Sequence, residues 1–236
     1  MRVADKLKAV GRFFTTPDDE IDRSETIDWL SSLESVLDLG CGEGYYSRLL
    51  LRRGVDLVAM DMDADKLRTV GQGVARIRED AAHIPIRAAS LGGVLCIYIL
   101  EHLVNVRKCL IEIQRTLCEN GRLVVLVPCR KGLPRIFGEL FRMCAPPQEN
   151  DSRFMVVEQN FSYQEIEELL QQHGFRIIES MHGEFVGTHV LRRMRRHSET
   201  LRFTNVVLSD IFRRIHLSFL LQNTMFRCVK GASSAS

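Results

Sequence analysis

The chain lacks several features that would place it in a special class of protein. Its seven cysteines include no C-x-x-C pair, and their odd number argues against a complete disulfide framework. No apolar run reaches the roughly 20 residues of a membrane helix, and the net charge of only +2 gives no global attraction to nucleic acid. Arg2, Asp5, Lys6 and Lys8 interrupt the first residues, which argues against a signal peptide. We therefore expect a cytoplasmic globular protein with reduced thiols.

What the sequence does have is a glycine-rich turn after an apolar run, at residues 36–45. Gly40, Gly42 and Gly44 can adopt backbone angles that a Cβ disfavours, and a helix predicted over 45–53 would point its positive end at a ligand. The spacing G-x-G-x-G lacks the third glycine of the dinucleotide motif, because Tyr45 stands there. Asp38 is a poor neighbour for pyrophosphate but a good one for an ammonium or a sulfonium. The turn therefore favours S-adenosylmethionine over a dinucleotide.

With these residues the chain resembles the class I S-adenosylmethionine-dependent methyltransferases, in particular the type 11-like small-molecule group. Residues 57–62 resemble the family's second strand, whose final acid, here Asp61, holds the ribose hydroxyls. Residues 75–85 are similar to its third motif, in which Asp80 accepts from the adenine amino group. The Leu-Glu-His element at 99–103 and the turn and strand at 120–128 complete the likeness. The resemblance implies cofactor contacts from ten residues: Asp38, Gly40, Cys41, Gly42, Gly44, Asp61, Met62, Asp80, Ala81 and Cys96.

Alternating apolar strands and amphipathic helices predict an α/β fold, a Rossmann-like, doubly wound and mostly parallel sheet with an antiparallel last strand. Residues 1–34 form two predicted helices, 2–14 and 21–32, a region that family members use as a flap over the cofactor. The methyltransferase domain is predicted over 35–236, with a capping box from Ser162 to Glu165 that starts a further helix. The predicted strands are 35–39, 55–60, 75–79, 93–97, 122–127, 175–180 and 224–230.

Two predicted helical lid insertions, at about 130–160 and 182–222, carry apolar residues at helical spacing with arginines between them. Such helices can roof an apolar acceptor pocket, lie on a membrane surface, pair with a second copy of the chain, or simply bury their apolar stripes against the sheet. Arginines beside an apolar face suit anionic headgroups, so a lipid-like small-molecule acceptor is one expectation. The cluster Arg192, Arg193, Arg195 and Arg196 leaves RNA or protein as alternative acceptors, although we expect no nucleic-acid partner.

The expected chemistry is in-line methyl transfer, in which positioning supplies much of the rate. His102 follows the fourth strand and is the candidate catalytic base, while bracing the next helix is an equally good interpretation. Some relatives bind a divalent cation through E-x-x-E-H, but Tyr98 replaces the first glutamate, so we predict no metal. Gly92 stands where the family has an acid and is expected to loosen the entrance to the fourth strand. A non-catalytic, cofactor-binding scaffold is the remaining alternative.

Overall fold

Seven strands form one mixed sheet in the computed structural model, which describes residues 23–129, 159–183 and 223–231. Their bounds are β1 Ser35–Leu39, β2 Asp56–Asp61, β3 Ala75–Arg78, β4 Leu91–Ile97, β5 Leu117–Pro128, β6 Phe175–Gly183 and β7 Asn223–Lys230. The order across the sheet is β3-β2-β1-β4-β5-β7-β6, and β7 runs in the opposite direction to the other six strands. The predicted fold class and all seven predicted strands are confirmed.

Helices connect the strands and cover the sheet. They are α1 Arg23–Ser31, α2 Tyr45–Leu51, α3 Ala64–Thr69, a 3₁₀ turn Leu100–His102, α4 Val106–Thr116 and α5 Tyr163–Gln172. The predicted capping box is confirmed at α5, where the Glu165 backbone N–H donates to Ser162 Oγ and the Ser162 N–H donates to Glu165 Oε2. The predicted helix 2–14, nearly all of the two lid insertions and the arginine cluster lie outside the described residues.

The strand order creates a crevice at one edge of the sheet. After β1 the chain crosses to β2 and β3 on one side, and β4 returns to pair with β1 on the other. Leu39, the last residue of β1, pairs with Met60 on one side and Cys96 on the other, so the three carboxyl ends are level. Ligands of open α/β sheets bind at the carboxyl ends of two adjacent strands whose following connections lead to opposite sides of the sheet.

Helix α1 and the residue Leu33 after it pack on the sheet near the amino-terminal end of β4. Two consecutive glycines, Gly92 and Gly93, lie there. A Cβ on Gly93 would lie 2.7 Å from Leu33 Cδ1 and 3.1 Å from Leu30 Cδ2. The Gly92 N–H donates to Ser35 Oγ at 3.1 Å. The missing side chains allow the leucines to pack closely onto the backbone. The pairing of β4 with β5 shifts register between Leu91 and Gly93, so the expectation that Gly92 loosens this strand entrance stays a prediction.

Polar contacts also attach α1 to the far strands. The buried Arg227 of β7 donates to Thr26 Oγ1 at 3.2 Å and to Glu179 Oε2 of β6 at 3.0 Å. The guanidinium of Arg122 on β5 lies 5.1 Å from the centre of the Trp29 ring, a cation–π distance. These contacts give α1 a structural role, and the cofactor flap proposed for residues 1–34 stays a prediction.

Candidate cofactor site

The glycine-rich loop joins β1 to α2 at the crevice, and β2 holds it in place. The backbone N–H groups of Gly40 and Cys41 both donate to the Met60 carbonyl, at 2.7 and 3.0 Å. The Gly44 N–H donates back to the Cys41 carbonyl at 2.9 Å. The loop is thus anchored to the end of the neighbouring strand before the helix begins at Tyr45.

The three glycines of this loop all have positive φ angles but face different surroundings. A Cβ on Gly40 would lie only 1.8 Å from Ile99 Cδ1, and one on Gly44 would lie 2.9 Å from Val70 Cγ2. A Cβ on Gly42 would meet no atom within 4 Å. Gly40 and Gly44 are therefore required by packing within the protein. Gly42 is the glycine whose open side leaves room for a ligand against the backbone.

Asp61 ends β2 and orders the backbone on both sides of the crevice. Its Oδ2 accepts from the Gly42 N–H at 2.8 Å, and its Oδ1 accepts from the Asp63 N–H at 2.8 Å. Each carboxylate oxygen can accept a second hydrogen bond, so ribose hydroxyls can still donate to it. One carboxylate therefore shapes the glycine loop and offers acceptors to a ligand.

Asp38 lies within β1 and is buried, with 3% of its surface exposed. The Ser47 hydroxyl on α2 donates to Asp38 Oδ2 at 2.6 Å. Burial raises the pKa of Asp38 to about 6; the Ser47 hydrogen bonds oppose the shift, and the nearby Asp61 charge adds to it. Ser47 is a site residue that the sequence did not single out, although a serine in the first turn of the helix after a glycine loop was the available signal.

The raised pKa of Asp38 predicts a pH dependence of stability. Because folding favours its protonated form, Asp38 contributes stability fully below pH 3.8 and loses it as pH rises through about 6. The loss amounts to about 3 kcal/mol at 1.36 kcal/mol per pKa unit. Asp38→Asn cannot ionise and keeps an oxygen for Ser47. Urea unfolding of both proteins between pH 4 and 7 should show the wild type losing stability relative to the variant. Parallel curves would contradict a raised pKa.

Asp80 follows β3 by two residues and is exposed. Its Oδ1 accepts from the Ala82 N–H at 2.7 Å, and its carbonyl accepts from the His83 N–H at 2.8 Å, which forms a tight turn. Ala81 in this turn is buried. Met62, the residue after Asp61, is half exposed, and its carbonyl accepts from Arg78. Asp38, Asp61 and Asp80 thus lie at or just after the carboxyl ends of three neighbouring strands, and Asp61 is close enough for its charge to raise the pKa of Asp38.

The two cysteines among the predicted contacts are buried neutral thiols. Burial is the main cause that raises the pKa of Cys41 to about 12, with the charges of Asp38 and Asp61 adding to it. Burial also raises the pKa of Cys96 well above its ordinary value. Thiols of this kind are poor nucleophiles at neutral pH. Cys41 lies in the glycine loop and Cys96 at the level end of β4, so both can shape the crevice without reacting.

Beyond β4 the chain turns sharply into the 3₁₀ segment. His102 is about half exposed, and its Nε2 lies 4.0 Å from Oε1 of the buried Glu101, too far for a hydrogen bond. The Glu101 carbonyl accepts from the Gln159 N–H at 2.7 Å, which connects this turn to the segment before α5. A catalytic role for His102 stays a prediction.

Neither a metal cluster nor a membrane span was found in the described ranges. No three His, Cys, Asp or Glu side chains come together there in a way that could hold a metal ion. No helix in the same ranges is both long enough and apolar enough to cross a bilayer. The prediction that no metal binds and the predicted cytoplasmic location both stay predictions.

Comparison with known proteins finds methyltransferases among the similar sequences. A family model described as a methyltransferase domain matches residues 37–125, which run from β1 through β5. An uncharacterised methyltransferase of Mycobacterium tuberculosis is 35% identical over 104 residues, which is 42% of each chain. A demethylmenaquinone methyltransferase of Thermobifida fusca is 27% identical over 133 residues, or 52% of this chain and 56% of that one. The chain thus spans about half the length of the curated relatives it matches.

Solved structures share the fold over a larger part of the chain. A methyltransferase from Archaeoglobus fulgidus, dependent on S-adenosylmethionine, has a TM-score of 0.60 at 16% identity, covering 88% of this chain and 90% of its own. A geranyl diphosphate C-methyltransferase from Streptomyces coelicolor has a TM-score of 0.61 at 14% identity, covering 88% and 79%. At such identities the likeness shows the fold alone.

Proposed function

The chain contains a class I methyltransferase domain, and from this premise we propose that it transfers the methyl group of S-adenosylmethionine to a small acceptor. The observation that carries the proposal is the set of three acids, Asp38, Asp61 and Asp80, at neighbouring strand ends, of which Asp61 accepts from the N–H of Gly42. Three carboxylates suit a ligand that presents hydroxyls, amino groups and positive charge. They would repel a pyrophosphate.

The described residues fit this cofactor. Asp61 would accept from the ribose hydroxyls while it holds the loop through Gly42, and Asp80 would accept from the adenine amino group through the oxygen that Ala82 does not occupy. Asp38 would face the positively charged end from beneath the loop. The backbone of Gly42, without a Cβ, would allow the ligand to lie against it.

When bound, S-adenosylmethionine supplies a methyl group on a positively charged sulfur that an acceptor atom can displace in line. The contribution of this chain is to hold the donor still and to keep the acceptor aligned with it, an effect worth up to about 7–11 kcal/mol in favourable systems. His102, in the turn after β4, would take the proton of an acceptor that still holds one at neutral pH.

For the acceptor we propose a hydrophobic or amphiphilic small molecule. One matched protein, the demethylmenaquinone methyltransferase, is named for an acceptor of this kind. The apolar and arginine-bearing sequences of the two insertions support the same choice. A second copy of the chain or a membrane surface could supply part of this pocket.

Two measurements test the proposal in order. Calorimetric titration should show heat on addition of S-adenosylmethionine and of S-adenosylhomocysteine, and no heat with either for folded protein would remove the methyltransferase assignment. Protein, labelled cofactor and a combined cytosol and lipid extract are then incubated together. Label is expected in the organic phase. Label in RNA or protein would replace the small acceptor with a macromolecule, and binding without any transfer would favour a scaffold.

A further inference from the structure

Tyr98 has a backbone conformation that its side chain disfavours. It is the first residue after β4, and its φ angle is +53°, a region that bulky residues rarely adopt. The residue is 41% exposed. Backbone strain of this kind persists only where the surrounding structure imposes it, and it concentrates at functional sites.

Contacts on both sides hold this conformation in place. The Tyr98 N–H donates to the Leu126 carbonyl of β5 at 2.9 Å. The next residue, Ile99, packs against Gly40 so closely that a Cβ on the glycine would lie 1.8 Å from Ile99 Cδ1. The strained residue therefore lies between β5 and the glycine loop, where the connections that follow β1 and β4 lead to opposite sides of the sheet.

The position of the acids indicates which part of the cofactor lies near Tyr98, and this step depends on the proposed function. Asp61 ends β2 and Asp80 follows β3, and both strands lie on the side of β1 away from β4. With ribose and adenine held there, the remaining sulfonium and methionine end extends over β1 toward β4. Tyr98 is the exposed aromatic residue at the end of that strand.

We propose that the ring of Tyr98 lies against the sulfonium and gives the site a preference for S-adenosylmethionine over S-adenosylhomocysteine. An aromatic face attracts a cation. The two cofactors share their ribose, adenine, ammonium and carboxylate groups and differ in the methyl group and the charge on sulfur. Asp61 and Asp80, which would hold the ribose and the adenine, therefore meet the same groups in both. A ring beside the sulfur loses its attraction once the methyl group has left, which favours release of the product.

The test compares the affinities of the two cofactors in three proteins by calorimetry. Tyr98→Leu should bind S-adenosylmethionine about 3- to 30-fold more weakly than the wild type. Its affinity for S-adenosylhomocysteine should change much less. Tyr98→Phe keeps the ring and should keep the ratio of affinities. Equal losses for both cofactors, or an unchanged ratio in Tyr98→Leu, would overturn the inference. Absence of heat from the wild type with either cofactor would instead overturn the proposed function and this inference together.

A second pair of variants separates the ring from the backbone strain. Tyr98→Gly removes the ring and relieves the positive φ. It should therefore lower the ratio of the affinity for S-adenosylmethionine to that for S-adenosylhomocysteine without lowering the midpoint of thermal unfolding. Ala89→Gly is the matched control, because Ala89 also has a positive φ, +52°, and lies in the exposed turn before β4. It should leave the ratio unchanged. A large drop of the midpoint in Tyr98→Gly, with an unaltered ratio, would assign the ring to packing and overturn the inference.

Discussion

Replacing Gly40 with alanine should destabilise the protein by about 2–5 kcal/mol, a large part of the 5–15 kcal/mol typical of a folded domain. The left-handed conformation, φ +69°, contributes about 1–2 kcal/mol. The added Cβ would lie 1.8 Å from Ile99 Cδ1, and overpacking of this kind costs about 1–3 kcal/mol. The loop cannot move aside freely, because Met60 holds the N–H groups of Gly40 and Cys41. Urea unfolding measures the loss.

Gly42→Ala is the matched control within the same loop. Its φ is also positive, +53°, but the added Cβ meets no atom within 4 Å. It should lose only the conformational contribution of about 1–2 kcal/mol, while its affinity for S-adenosylmethionine falls because the methyl group enters the open side of the loop.

A double-mutant cycle identifies the partner of Gly40. Ile99→Ala removes the colliding group, so Gly40→Ala should cost less in that background, by about 1–3 kcal/mol. The positive φ remains, so the rescue should be partial. Equal costs in both backgrounds, or equal stability of Gly40→Ala and Gly42→Ala, would show that Ile99 does not pack against the loop.

Asp61→Ala should weaken binding of S-adenosylmethionine about 10- to 100-fold and also lower stability. A hydrogen bond to a charged group contributes about 1.5–3 kcal/mol, and the loss of one such bond corresponds to about 10- to 100-fold in affinity. The variant also leaves the N–H groups of Gly42 and Asp63 without their acceptor, so the loop that faces the cofactor loses its brace. Calorimetric titration and urea unfolding on the same preparation measure the two effects.

Asp56→Ala is the control for this substitution. Asp56 is exposed at the amino-terminal end of the same strand, away from the crevice at its carboxyl end. Its removal therefore changes the net charge equally without touching the crevice. It should leave the affinity unchanged. If folded Asp61→Ala protein binds S-adenosylmethionine as tightly as the wild type, the ribose does not lie at Asp61.

Local signals in the sequence predicted the elements of this fold well. Alternating and continuous apolar runs are sufficient to predict strands, and the Ser162 capping box satisfies backbone groups within one turn of helix, so neither depends on distant residues. The order of glycines and acids predicted which strand ends form the crevice, because carboxyl ends of parallel strands share an edge. Residues 1–22 and most of both insertions lie outside the described ranges, so the predictions made for them stay predictions.

The sequence by itself determined the seven strands, the glycine loop and the three acids, since each of these follows from the spacing of residues close together in the chain. Only the tertiary structure decided that Gly40 accommodates Ile99, that Ser47 bonds to the buried Asp38, that Gly93 accommodates Leu33 and that Tyr98 is strained. Each of these depends on how closely two separate segments approach after folding. That distance results from the packing of the whole sheet and its helices, and no local pattern of residues encodes it.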